Sequence, residues 1–178
     1  MPKSAKKYLV GACHDIIGAA RTRVIFRPPE HAGTCIRRYI HNHMNTAPYT
    51  MQVALDDDDA VSSDFVEVMR KEALLEQQKF KSPKDYCFIS QARGLTAFFK
   101  DDQMELAHRS APFTMLGLCL VGPTLTRRNP FSTAHKKLAR NHPARVIHGT
   151  TPYYIRAVHD TNDSRGPRST TRLRDDEL

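Results

Sequence analysis

The sequence predicts an α/β protein, a single domain with a mixed β-sheet flanked by helices. Short apolar runs of strand length alternate with segments whose apolar residues recur at helical spacing. The chain has 178 residues, enough for one domain with a proper core. Its apolar content of 40% and charged content of 26% are those of an ordinary globular chain. The expected domain covers residues 1–165, and residues 166–178 read as a flexible polar tail.

TRVIFR (22–27) has strand character and is ended by Pro28 and Pro29. From Gly33 to Met44, the residues Ile36, Tyr39, Ile40 and His43 fall at helical spacing, with Asn45 and Pro48 closing the helix. TMQVAL (50–55) reads as a buried strand running straight into four carboxylates, Asp56 to Asp59. Ser62 or Ser63 is placed to cap the next helix, with Asp64 and Glu67 in its first turn. Phe65, Val66, Met69, Ala73 and Phe80 form its apolar stripe, and Ser82-Pro83 breaks it. DYCFIS (85–90) and GLTAFF (94–99) read as strands joined by a Gln91-Ala92-Arg93 turn, and FTMLGLCLVG (113–122) as a third. Between the last two lies DDQMELAHRS, a polar segment expected to reach a cleft. STAHKKLAR (132–140) has the pattern of a short basic amphipathic helix, and RVIH (145–148) and YYIRAVH (153–159) those of strands.

Several classes are disfavoured at once. No apolar stretch approaches the ~18 residues that span a bilayer. The opening MPKSAKKYLVGAC has too brief an apolar run for a secretory signal. Cys13, Cys35, Cys87 and Cys119 form no C-x-x-C pair, which argues against a zinc module and suits free thiols in a reducing cytoplasm. The chain is therefore expected to be cytoplasmic.

The net charge of +8 is uneven. Residues 1–50 carry +6, residues 51–122 carry −4, residues 123–174 carry +9 and residues 175–178 carry −3. An acidic centre between basic flanks suits a cation together with a polyanion such as a diphosphate. It also suits a nucleic-acid backbone, but the basic segment lacks interleaved aromatics, a zinc pattern or a helix-turn-helix, so nucleic acid is the weaker reading.

In α/β sheets, ligands collect beyond the carboxyl ends of strands. Asp56–Asp59 follow such an end. If the extended geometry continues, Asp56 and Asp58 point one way and Asp57 and Asp59 the other. Two carboxylates on one face are costly without a cation between them, and oxygen ligands suit Mn²⁺ or Mg²⁺. A solvated acidic turn that caps the next helix is the plainer alternative, but that helix already has its own capping residues. A second cluster is AVHDTNDSRG (157–166), where His159 ends an apolar strand and Asp160, Asn162, Asp163 and Arg165 follow. An imidazole can bind a divalent metal, and a guanidinium can fork onto phosphate.

VALDDDDAVSSDFV and YYIRAVHDTNDSR together resemble the rhamnosyltransferase-like group of nucleotide-sugar glycosyltransferases of GT-A type. The resemblance covers roughly residues 50–70 and 110–165 and keeps the order of the two motifs. It implies Asp56 and Asp58 as an Asp-X-Asp metal pair, with His159 as a further metal or phosphate ligand. Asp59 would bind the metal or a sugar hydroxyl of the donor, a nucleotide-diphospho-sugar, whose diphosphate suits the fork of Arg165. It also implies a saccharide or glycolipid acceptor, and Asp101, Asp102 and Glu105, in the polar segment, are the candidate catalytic carboxylates, with Asp102 and Glu105 preferred. Arg127 and Arg128, or Lys136 and Lys137, are secondary candidates for phosphate contact. The 55 residues before Asp56 hold about one strand and one helix, whereas such a fold places two or three βα units of ~30 residues there. The domain is thus expected to be abbreviated at its N-terminal side, with homo-oligomerisation covering the exposed edge. A non-catalytic binding protein of the same fold and a metal-dependent phosphohydrolase are the competing readings.

Overall fold

The structure, a computed structural model, describes residues 2–26, 30–44, 46–100, 103–132, 134–158 and 171–172. The chain divides into two compact units, Met1–His31 and Ala32–Leu178. The first contains helix α1 (Lys3–Ile17), which sequence reading did not anticipate. Gly18 ends it at φ 94°, a left-handed conformation that glycine adopts without a Cβ clash. The strand expected over residues 22–27 is not formed at residues 22–26, which carry no regular structure.

The second unit is α/β, built on two sheets where one was expected. The first sheet has the order β1-β6-β3-β7, with β1 (Tyr49–Ala54), β3 (Cys87–Gln91), β6 (Leu118–Pro123) and β7 (Ala144–Ile147). The second has the order β2-β8-β4-β5-β9, with β2 (Ala60–Val61), β4 (Arg93–Lys100), β5 (Gln103–Ser110), β8 (Tyr154–Val158) and β9 (Thr171–Arg172). Both sheets are mixed: β3 pairs β7 in parallel and β4 pairs β8 in parallel, while the other pairings are antiparallel. The cause of the split is at Ala92. β3 and β4, expected to be joined by a turn, do not pair with each other, because the chain bends at Ala92 and passes into the other sheet. The Ala92 amide donates to Ile147 O at 3.0 Å and holds that crossing against the end of β7.

The central strands of the first sheet are buried on both faces, which explains the continuous apolar character of CFIS and LCLVG. On one face helix α3 (Phe65–Gln77) lays Phe65, Met69 and Ala73 against Cys87, Ile89, Cys119 and Val121. On the other, Leu138 of the short helix α4 (Leu138–Asn141) packs with Phe88, Leu118 and Leu120. Fully burying such side chains contributes about 1.5–3 kcal/mol each. Val66, expected on the α3 stripe, is instead 63% exposed. Asp64 occupies the N-cap of α3 with no side-chain capping bond, and Ser62 contributes its backbone carbonyl to Phe65 N–H rather than its hydroxyl.

Helix α2 (Ala32–His43) is tied to the loop after β6: Asn129 Nδ2 donates to Gly33 O at 2.9 Å, and His41 Nε2 lies 3.1 Å from Thr126 O. The basic segment expected as one helix over 132–140 is two 3₁₀ turns, Pro130–Ser132 and His135–Lys137, followed by α4. The polar segment DDQMELAHRS is a strand where described: β5 pairs β4 along its whole length, from Arg93↔Ser110 to Lys100↔Gln103. Within the expected tail, Thr171–Arg172 form β9 on β5.

Candidate functional site

β1, β3 and β7 run parallel to one another, since β1 and β3 are both antiparallel to β6 and β7 is parallel to β3. Their carboxyl ends therefore share one edge of the first sheet, and each chain segment leaves that edge for the second sheet: β1 to β2, β3 to β4, β7 to β8. Asp56–Asp59 lie in the first of these crossings.

The carboxylates do not continue as a strand. Asp59 N–H reaches Asp56 O at 3.4 Å and closes a turn, after which β2 begins. The expected two-and-two alternation of side chains is thus replaced by a turn that gathers the acids. Like charges that must bend toward solvent follow a turn more readily than an extended run, where alternate groups would face the packed sheet. β2 then pairs antiparallel with β8, with Ala60 opposite Ile155 and Val61 opposite Tyr154. Ala157 N–H donates to Asp59 Oδ1 at 3.1 Å, which fixes the acidic turn against β8. The two sequence motifs are thereby joined as far as Val158. His159 and Arg165 lie outside the described residues, as does Asp102. Glu105 is described, but in strand β5 opposite Phe98 and exposed, rather than on a segment reaching a cleft. Alternation along β5 and its pairing to β4 set that position.

Three basic residues that sequence reading did not select act electrostatically on the acidic turn. Thr96 pairs Arg156 across β4 and β8, and Arg109 on β5 is opposite Gly94 on β4. Alternation puts Thr96, Arg109, Tyr154 and Arg156 on one face of the second sheet. Tyr154 is 1% exposed, and its hydroxyl donates to Ala111 O at 3.3 Å. Its ring lies so closely over Gly94 that a Cβ there would stand 2.6 Å from its Cζ, so glycine is required at that place. The third group is His135, whose Nδ1 is buried with no hydrogen-bond partner among the described residues.

The electrostatics follow from this crowding. Asp59 is pushed up from 3.8 to about 6, first by burial and then by Asp58 and Asp56, with the Ala157 N–H and Arg156 opposing. Asp56 is also raised, by desolvation and then by Asp58 and Asp57, while His135 and Arg156 pull it down. Burial lowers Arg109, with Tyr154 and Asp59 favouring its charge. Burial likewise raises the Tyr154 phenol. The arrangement presents clustered carboxylates to solvent beside fixed positive charge, so a cation and an anion can be bound side by side.

A divalent cation fits the repulsion at Asp56 and Asp58. Among the described residues, however, no group of three or more His, Cys, Asp or Glu side chains is placed to hold a metal ion. Arg127, Arg128 and Lys137 are exposed, and the side chain of Lys136 lies outside the described set. The missed residues left little trace in the sequence: Tyr154 and Arg156 share strand parity, but nothing local distinguishes Arg109 or His135 from surface charge.

Among the described residues no helix is long and apolar enough to cross a membrane. No curated protein and no solved structure matches the chain. The model of one family, described as "Putative rhamnosyl transferase", matches residues 1–171. With nearly its whole length matched, and with an acidic turn seated at the carboxyl edge of an α/β sheet, the chain belongs to that rhamnosyl transferase family.

Proposed function

We propose that the protein is a metal-assisted glycosyltransferase of GT-A type that moves a sugar, rhamnose on the family's description, from a nucleotide-diphospho-sugar to a saccharide or glycolipid acceptor. The observation that carries this reading is the acidic turn Asp56–Asp59, whose mutually destabilised carboxylates stand beside Arg156 at the carboxyl edge of β1. Asp56 and Asp58 would hold Mn²⁺ or Mg²⁺, with His159 as a further ligand from beyond the described residues. Bound there, the cation would supply charge neutralisation on the departing diphosphate.

The chain's own residues carry the rest. Asp59, anchored by the Ala157 amide, orients the donor, and Arg156 and Arg165 contribute positive charge to the diphosphate oxygens. The acceptor hydroxyl oxygen attacks the anomeric carbon as the bond from that carbon to the diphosphate oxygen breaks. The leaving diphosphate keeps the electron pair, and the hydroxyl proton passes to a carboxylate base, for which Asp102 and Glu105 are the candidates.

The test is calorimetric titration of Mn²⁺, then of nucleoside diphosphates in its presence, into the wild type and Asp58→Ala. Nucleotide binding that requires both Mn²⁺ and Asp58 is the expected result. Metal binding without nucleotide would point to a non-catalytic member of the fold, and no metal binding at all would overturn the reading.

A further inference from the structure

Helix α1 is long for a helix that buries nothing. Its 15 residues span about 22 Å, yet none of them is buried. At 100° per residue, Ala5, Tyr8, Leu9, Ala12 and Ile16 fall on one stripe, while Lys3, Lys7 and His14 fall on the opposite side and Lys6 on the flank. That stripe is open: Tyr8 is 78% exposed, Ile16 84% and Leu9 39%. Its first turn contains no acidic residue, so the N-terminal half presents three lysines uncompensated. Lys6 lies 4.9 Å over the Phe26 ring, which places its charge at the flank of the helix. The surrounding unit, residues 1–31, carries six basic side chains against two acidic ones.

An exposed apolar stripe with an aromatic residue, backed by lysines and one acid at its edge, has the chemistry of a helix that lies in a membrane interface. A second copy seated stripe to stripe would leave these lysines without a counter-charge, whereas an anionic lipid surface complements them. We infer that α1 binds the surface of anionic membranes, with Tyr8, Leu9 and Ile16 entering the headgroup boundary and Lys3, Lys6 and Lys7, on the polar side and flank, drawn to the negative surface potential. This inference rests on the N-terminal unit alone and does not depend on the carboxylate site.

The test uses the full chain with vesicles of phosphatidylcholine alone and of phosphatidylcholine with 30% phosphatidylglycerol, read by co-sedimentation. The anionic vesicles are expected to bind about a hundredfold more tightly, at roughly fivefold per lysine. Binding should weaken as salt rises. Lys3→Gln/Lys6→Gln/Lys7→Gln should abolish that preference. Tyr8→Ser/Ile16→Ser should weaken binding about tenfold or more. The five substituted positions are partly or largely solvent-facing, so circular dichroism should report an unchanged fold. The chain contains no tryptophan, so Tyr8→Trp gives a single reporter whose emission should shift to the blue only with anionic vesicles. Equal binding to both vesicles, no binding to either, or a Tyr8→Trp emission unmoved by lipid would overturn the inference. So would a Tyr8-dependent dimer in sedimentation without vesicle binding, since it would assign the stripe to a second copy.

Discussion

Asp59→Asn provides a quantitative test of the acidic turn. The Asp59 carboxyl has its midpoint at about 6 in the fold, against an ordinary 3.8. Between those values the folded state binds a proton that the unfolded state releases, so this group's contribution to stability falls as pH rises through the window. Above pH 6 the folded protein carries the full cost of an ionised, partly buried carboxylate. A midpoint displaced this far corresponds to about 3 kcal/mol at neutral pH. Asp59 is half-buried rather than enclosed, and solvent screening reduces that to about 1–2 kcal/mol. Asparagine keeps an oxygen for the Ala157 amide while removing the charge. Urea denaturation without divalent cations should therefore show Asp59→Asn more stable than wild type by about 1–2 kcal/mol at pH 7.5. At pH 4 the gain should shrink to about 0.5 kcal/mol or less, where the carboxyl is neutral in the fold. An equal change at both pH values, or a loss at pH 7.5, would refute the reasoning. A loss would mean that the Ala157 hydrogen bond outweighs burial and the neighbouring carboxylates.

Gly94→Ala forces a Cβ into the Tyr154 ring, which is buried and tied to Ala111 O, and should cost about 1–3 kcal/mol in denaturant unfolding. Combined with Tyr154→Leu, its cost should be clearly less than the sum of the two single changes. Arg145→Ala removes the guanidinium that stands 2.7 Å from both Glu72 and Glu76 and leaves Glu76 only Lys79, for a loss of about 1–3 kcal/mol at pH 7. Burial raises the Glu76 carboxyl, but Lys79 and Arg145 outweigh it and hold it below 4.5. That stabilisation is complete above the ordinary value and is lost as pH falls through the lowered one, so the gap between wild type and Arg145→Ala should narrow in acid and can be followed by thermal melts.

What the sequence determined by itself is what depends on neighbours along the chain. The apolar run of LCLVG, the helical spacing of Phe65, Met69 and Ala73, and the acids at the end of β1 are all read from local pattern, and all three hold in the fold. Helix α1 escaped because its apolar stripe is short and open, and open stripes lack the core contacts that make a pattern decisive. Only the tertiary structure decided how strands were shared. The bend at Ala92 sends β4 to a different sheet from β3, and no local residue pattern specifies whether a following strand pairs or leaves. For the same reason a polar segment expected to reach a cleft became β5: its hydrogen bonds come from β4, and its side chains give no hint of that partner. The site repeats the lesson. Four carboxylates announced themselves by number, but their turn, their anchoring on Ala157 and the approach of Arg109, His135 and Arg156 come from residues 50 to 100 positions away in sequence. Electrostatic partners at such separations are fixed by strand register, which pairing establishes and composition does not.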